Sequence, residues 1–330
     1  MRWLALRSWD WIQVEITTRC TAECAYCPRT VYRSVWRSRD MDPATFRRLV
    51  PAFRKAGLVF LQGWGEPLLH PDFFSLVRLA KGAGCREGTT ANGMLLDEEA
   101  VRALLDGGLD VVAFSLAGAD AYHDGVRRGT ALAKVLEGME RLAAERLRRG
   151  LGRPAIHVAY MLLRSGVESC ARLPELLRRV PVDAVVVSTL DFVPAADLRA
   201  ESLRLEPEAL AAARRLLEEL GRRALPVYHY LGGGRRVRCA ENPYRAVFVT
   251  VDGSVAPCVY LGLPVAEPVK VYDIPAGRFH APVIFGNIGE RTLTEVWRGR
   301  DYRSFRRALK RGTLPEPCRF CLKVEGPAGR

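Results

Sequence analysis

From Trp11 to about Leu190 the chain alternates short apolar runs with amphipathic stretches. Alternating or continuous apolar runs of a few residues mark strands, and a 3.6-residue apolar repeat marks helices. On that reading strands lie near 11–17, 58–62, 85–90, 110–116, 155–162 and 183–189. Helices lie between them, near 42–56, 72–83, 97–106, 131–149 and 168–179. Three carry start signals: Asp42-Pro43, His70-Pro71, and Asp97 followed by Glu98 and Glu99. This rhythm predicts an α/β fold with a parallel sheet and right-handed crossovers. After about Glu206 the pattern changes. A charged helical connector runs to about Arg222, and Val247 to Cys258 reads as a β-hairpin turning at Asp252-Gly253. Leu293 to Leu309 reads as an amphipathic helix.

A chain of 330 residues can bury a large core, as one α/β barrel or as two domains. Its 48% apolar and 26% charged residues are ordinary for a globular protein. No apolar run approaches the roughly 20 residues needed to span a membrane. Met1 to Trp11 is too short and too mixed for a signal peptide. The nine Cys are grouped in metal-ligand spacings, which suits a reducing compartment, and a cytoplasmic location is expected. The net charge is +13, from 44 Arg and six Lys set against 37 acidic residues. The Arg are scattered along helices, as at 141–149, with no basic stripe interleaved with aromatics, which argues against a nucleic-acid partner. The excess charge would steer an anionic substrate or an acidic partner toward the protein.

The most specific chemistry is Cys20-Thr21-Ala22-Glu23-Cys24-Ala25-Tyr26-Cys27, on the loop after the first strand. Three thiolates this close can hold three corners of a four-iron cluster and leave the fourth iron open. A zinc site or three structural cysteines is the alternative. Structural zinc takes four closed ligands, and the next Cys or His is as far away as His70.

This C-x3-C-x2-C after strand one, with an aromatic before the last Cys, resembles the radical S-adenosylmethionine (SAM) superfamily. The resemblance implies a partial (β/α)6 TIM-like barrel with its chemistry on loops at the C-terminal strand ends. It implies that SAM binds the open iron, is cleaved reductively, and yields a 5′-deoxyadenosyl radical that abstracts hydrogen from substrate. Gly63-Trp64-Gly65-Glu66-Pro67 after strand two resembles the family's GGE motif, with Trp64 in place of a Gly. Gly65 and Glu66 are thereby candidates for binding the SAM amino group. Thr89-Thr90-Ala91-Asn92-Gly93 and Phe114-Ser115-Leu116 resemble the T-N-G and S-L-D-G segments, with Ala117 where Asp is expected. They make Thr90, Asn92 and Ser115 candidates for SAM ribose and carboxylate. Arg127 resembles the family Arg after strand four. Arg164 follows strand five, and either Arg could pair with a carboxylate. Weaker candidates for substrate contact are His157, Tyr160 and Asp191.

Cys239, Cys258, Cys318 and Cys321 bracket the last third of the chain. Four such thiolates could close a structural zinc site. Their arrangement around a hairpin and a helix, ending in C-x2-C, resembles the SPASM/twitch extensions of radical SAM enzymes. That resemblance implies one auxiliary four-iron cluster, fully ligated and suited to electron transfer. Cys85 and Cys170 fall outside both sets and suit ordinary buried positions. The expected division is a barrel over 1–205, a helical connector over 206–232 and a small α+β cluster domain over 233–330.

Two [4Fe-4S] clusters and SAM are thus the expected cofactors, with flavodoxin or ferredoxin as reductant. The expected substrate is a small molecule or cofactor precursor, because the barrel begins near Trp11 and leaves no room for a leader-binding domain. A peptide-modifying enzyme with a separate partner is the alternative. The C-terminal segments also resemble SPASM proteins proposed to modify a tungsten-pterin cofactor. A reading of another class is a zinc- or cluster-bearing sensor that uses no SAM.

Overall fold

The computed structural model describes residues 8–223, 226–229, 231 and 238–325. Six strands match the apolar runs: β1 (Trp9–Val14), β2 (Ala56–Leu61), β3 (Arg86–Ala91), β4 (Val111–Leu116), β5 (Ala155–Leu162) and β6 (Ala184–Thr189). They lie side by side in chain order, every pair parallel, as the core of a nine-stranded sheet. Three further strands complete it. β7 (Val227–His229) joins β6 in parallel, β8 (Ala246–Val249) joins β1 in parallel, and β9 (Val255–Ala256) joins β8 antiparallel. The hairpin of the last third is therefore continuous with the barrel sheet at its β1 edge.

Between the strands lie α1 (Phe73–Gly82), α2 (Glu98–Asp106) and α3 (Leu132–Arg148). Each buries one stripe at helical spacing, for example Phe73, Leu76, Val77 and Ala80 on α1. The Asp97 side chain caps α2 by accepting the Ala100 N–H at 2.8 Å. The strands show the complementary period of two. Ile156, Val158, Tyr160 and Leu162 of β5 join the helix-side core, while Ala155, His157, Ala159 and Met161 stay half-buried on the other face. Each fully buried aliphatic or aromatic side chain contributes about 1.5–3 kcal/mol.

Three expected helices are broken, each for a local reason. The 42–56 segment forms Pro43–Arg47 and Val50–Phe53, with Pro51 at the start of the second piece. The 168–179 segment restarts at Leu173–Leu176 with Pro174 in its first turn. Proline lacks the N–H of an interior helical bond and clashes with the carbonyl four residues back. The 293–309 segment forms α5 (Leu293–Arg298) and α6 (Arg300–Lys310), parted at Gly299, whose ψ of 150° is extended. A reciprocal Thr292–Glu295 capping box starts α5. The segment after Glu206 carries α4 (Pro207–Arg223), which leads into β7. Among the described residues no helix is long and apolar enough to cross a membrane.

Candidate active site and second cysteine centre

All the barrel strands point their C-terminal ends at the loop that follows β1. Cys24 on that loop pairs with Arg127 in a two-residue antiparallel ladder, and the Ala25 N–H donates to the Val126 carbonyl at 2.9 Å. The three thiols sit together in one apolar cluster, Cys24 buried with Cys20 and Cys27 packed against it. Burial first, then Cys24, pushes the Cys27 thiol up to about 12. Burial also raises Cys20, opposed by the Ala22 N–H, which approaches its Sγ at 3.4 Å. Such thiols stay protonated when alone and become thiolates when a cation takes them. The donor set fits a metal cluster on that ground.

The next loops press directly on this one. A Cβ on Gly65 would stand 2.6 Å from the Arg19 carbonyl oxygen and closer still to that of Thr17, so only glycine permits the approach. Gly93 has φ +83°, and a Cβ there would meet Val135 of α3 at 2.8 Å. The Glu66 carboxylate is fully enclosed and clamps two loops, accepting the Asn92 N–H at 2.6 Å and the Leu68 N–H at 3.3 Å. Burial lifts its pKa to about 7, against those two hydrogen bonds and the Arg127 cation. Asn92 Nδ2 in turn donates to Thr21 Oγ1 at 3.1 Å and faces Cys20 Sγ at 3.8 Å.

Arg127 is buried with its Nη1 donating to the Tyr26 phenol oxygen at 2.8 Å. Its Nε makes no hydrogen bond among the described residues. Burial works against this cation, and Tyr26, Cys24 and Cys20 outweigh it and raise its pKa. Thr90 donates to Gln62 Oε1 at 3.3 Å, and Ser115 sits half-buried near the end of β4. Arg164 is exposed at the end of β5 with no ion pair among the described residues, whereas Arg127 and Arg29, which donates to the Ala22 carbonyl, are both gathered to the cysteine loop. His157 lies near the start of β5, far along the strand from the loops, and Tyr160 belongs to the helix-side core.

The other four cysteines, Cys239, Cys258, Cys318 and Cys321, line one cavity. Burial raises all four thiols, and Cys239, Cys258 and Cys318 are each raised further by at least one of the other cysteines, while Asp191 and Glu241 add to the rise of Cys321. Among the described residues no three Cys, His, Asp or Glu groups converge on a single ion position. Four thiols around one cavity have the donor set of a fully ligated four-iron cluster and equally that of a four-thiolate zinc site.

A buried ionic strap joins this cavity to the barrel. Asp191, two residues past β6, meets Arg204 Nε at 2.8 Å and Lys323 Nζ at 3.2 Å. Lys323 also faces Glu241 at 3.5 Å and the Tyr260 ring at 5.7 Å, and Arg204 reaches Glu325 at 2.7 Å. Leu322, between Cys321 and Lys323, packs in the apolar cluster that includes Ala22, Cys24 and Tyr26. Trp64, Phe192, Tyr260 and His280 form an aromatic group at the same junction, with Phe192 and Tyr260 stacked at 5.7 Å. Sequence reasoning named Asp191 and missed Lys323, Glu241 and the aromatics. The one available signal was a Lys two places after a ligand-type Cys. It missed Glu15 as well, whose enclosed carboxylate accepts the Trp64 N–H at 2.9 Å and whose pKa burial pushes to about 8.

Comparison with known proteins follows the same division. Residues 14–164 match the model of the Radical SAM superfamily, and residues 239–322 match SPASM, an iron-sulfur cluster-binding domain. The chain thus carries a radical SAM domain followed by a SPASM domain. It is a radical SAM enzyme with a C-terminal SPASM domain and maturase-type homologues, and its cofactors are iron–sulfur clusters and SAM. A tungsten-containing aldehyde ferredoxin oxidoreductase cofactor-modifying protein of Pyrococcus furiosus is 27% identical over 94% of this chain and 86% of its own length. The PqqA peptide cyclase of Gluconobacter oxydans is 27% identical over 94% of this chain and 82% of its own. Among solved structures, Streptococcus suis SuiB bound to S-adenosylmethionine superposes with TM-score 0.66 at 16% identity, covering 90% of this chain and 67% of that one. AdoMet-bound anSMEcpe superposes with TM-score 0.65 at 18% identity, covering 94% and 86%. These likenesses support the fold.

Proposed function

We propose that Cys20, Cys24 and Cys27 hold the SAM-binding cluster and that Cys239, Cys258, Cys318 and Cys321 hold a fully ligated auxiliary cluster. The observation that carries this is the seating of the β2, β3 and β4 loops on the first cysteine loop, through Gly65, the Glu66–Asn92 clamp and Arg127. When bound, cluster and SAM supply a 5′-deoxyadenosyl radical for hydrogen abstraction. Gly65 leaves the backbone room beside the cysteine loop. Glu66 fixes the Asn92 backbone and keeps acceptor capacity for an ammonium group, since a carboxylate has about four lone-pair sites. Asn92 orients Thr21 and Cys20. Arg127 sets a buried positive charge where a carboxylate would dock. The second centre takes up the electron released when a substrate radical is oxidised, and flavodoxin or ferredoxin supplies the reducing electron.

The substrate we infer is a small anionic cofactor precursor. The similarity to a cofactor-modifying protein over 94% of the chain supports it, as does the +13 charge. Trp64 and Tyr260 offer half-buried aromatic faces beside the junction of the two sites, suited to a flat ring. A peptide substrate is the second reading, favoured by the equal identity to a peptide cyclase. Anaerobic turnover with SAM in the presence of a pterin precursor or of a candidate peptide separates them. 5′-Deoxyadenosine formation is expected to rise at least tenfold with the pterin and to stay at the uncoupled level with the peptide. The reverse pattern would contradict the cofactor-precursor reading.

A further inference from the structure

Helix α6 carries a row of positive charge unpaired among the described residues. Arg303, Arg307 and Lys310 are exposed along it, and Arg306 lies half-buried between them. With Tyr244 and Trp297 they line a groove of about 420 Å³ that has no acidic side chain in its wall. None of these four cations makes an ion pair among the described residues. Arg306 is held flat, 3.6 Å from the centre of the Trp297 ring and 4.7 Å from that of Tyr302. Its Nη1 is buried with no hydrogen-bond partner among the described residues. Burial and the Arg303 cation both work against its charge, and the Tyr302 ring only partly offsets them. Its charge adds to the positive field of the groove, while the exposed Arg303, Arg307 and Lys310 are the cations an incoming anion can reach.

The other face of the same helix faces the second cysteine centre. Phe305 and Leu309 line the cavity of Cys239, Cys258, Cys318 and Cys321. Tyr244, in the groove wall, donates its phenol O–H to the Leu309 carbonyl at 3.4 Å. Its pKa is raised by burial and then by Cys239 and Cys318, so it stands next to those thiols. The basic groove and the four thiols are thus separated by about one helix diameter, roughly 10 Å.

We propose that the α6 groove is the docking site of an acidic one-electron carrier protein, a flavoprotein or iron–sulfur protein that exchanges electrons with the second centre. This rests on the reading of the four cysteines given above. One electron leaves the centre and enters the carrier's oxidised flavin or cluster. The centre is oxidised by one electron and the carrier reduced by one, and no bond is made or broken. Complementary charge gives such encounters their rate and orientation, and small, weak interfaces suffice for them. A small phosphorylated ligand has the same attraction to the groove but no reason to lie against the redox centre.

The test uses the cluster-loaded protein and its charge-reversed variant Arg303→Glu/Arg307→Glu/Lys310→Glu, with flavodoxin as the probe. Calorimetry is expected to show flavodoxin binding at least tenfold weaker in the variant at low salt. Stopped-flow transfer from the reduced protein to oxidised flavodoxin is expected to slow at least tenfold. Both differences should shrink as added salt screens the charges. Iron content and the rate of oxidation by a neutral quinone should match the parent. Equal flavodoxin binding and equal rates in a parent carrying about eight irons would overturn the docking site and leave the cluster reading intact. A parent carrying about four irons would overturn the cluster reading, and with it the outlet role, even if binding still weakened. Pyrophosphate that raises the melting temperature of the parent alone, without any flavodoxin effect, would make the groove a small-anion site and also overturn the proposal.

Discussion

At the scale of single residues, Gly65 and Gly93 and the enclosed carboxylates of Glu15 and Glu66 set how the loops meet. A methyl group on Gly65 has only backbone to push against, at Thr17 and Arg19, so the cysteine loop itself must shift. Gly65→Ala is expected to lower SAM binding at least tenfold, read by the shift of the cluster spectrum on SAM addition, with iron content below the parent. Normal SAM binding in this variant would show that the loop approach does not matter. Glu87 of β3 is enclosed, and neither carboxylate oxygen has a hydrogen bond among the described residues. Burial pushes its pKa to about 9, with Lys81 opposing and Asp110 adding to the rise. The native state then keeps its proton to higher pH than the unfolded chain does. Stability therefore falls as pH climbs from about 4.5 toward 9, by at most about 1.4 kcal/mol per pH unit from this group. Glu87→Gln removes that slope. It is expected to raise the melting temperature at pH 8 and to leave it nearly unchanged at pH 5. A gain of equal size at both values would refute the titration as the cause.

At the scale of elements, the join between the barrel and the cysteine-rich region rests on the Asp191–Lys323–Glu241 strap, with Arg204 and Glu325 beside it. Breaking one member of a buried ion pair leaves an uncompensated charge, at a cost of about 3–5 kcal/mol, whereas replacing both with apolar groups is often neutral. Lys323→Met is expected to destabilise the loaded protein toward the low end of that range, since Arg204 still faces Asp191. The double variant Asp191→Leu/Lys323→Met should recover less than a full neutral swap gives, because Arg204 and Glu241 then lose a partner. Urea unfolding under anaerobic conditions measures both. A single variant as stable as the parent would mean that the strap carries no net energy.

At the scale of the whole molecule, the six barrel strands were legible because each is a run of at least six residues with a clear period, separated by helix signals. The added strands β7 and β8 were not legible as barrel strands. They have three and four residues, and their partners lie over 40 and over 200 positions away. Helix breaks at Pro51, Pro174 and Gly299 were written in the chain, but the apolar repeat carries on through them. The first cysteine set stood out by spacing alone, while the second needed the hairpin and helix between its members to read as one centre. Lys323 looked like any surface lysine, and only the fold encloses it. The central claim is that two separate cysteine centres serve one radical reaction. Iron content and 5′-deoxyadenosine formation, measured together after anaerobic reconstitution of the parent, Cys24→Ala and Cys318→Ala, test it most directly. The account predicts about eight irons and SAM cleavage in the parent, as two four-iron clusters require. It predicts about four irons without cleavage for Cys24→Ala, and for Cys318→Ala uncoupled cleavage with iron reduced toward four. About four irons in a fully active parent, or no change in iron on losing Cys318, would contradict it.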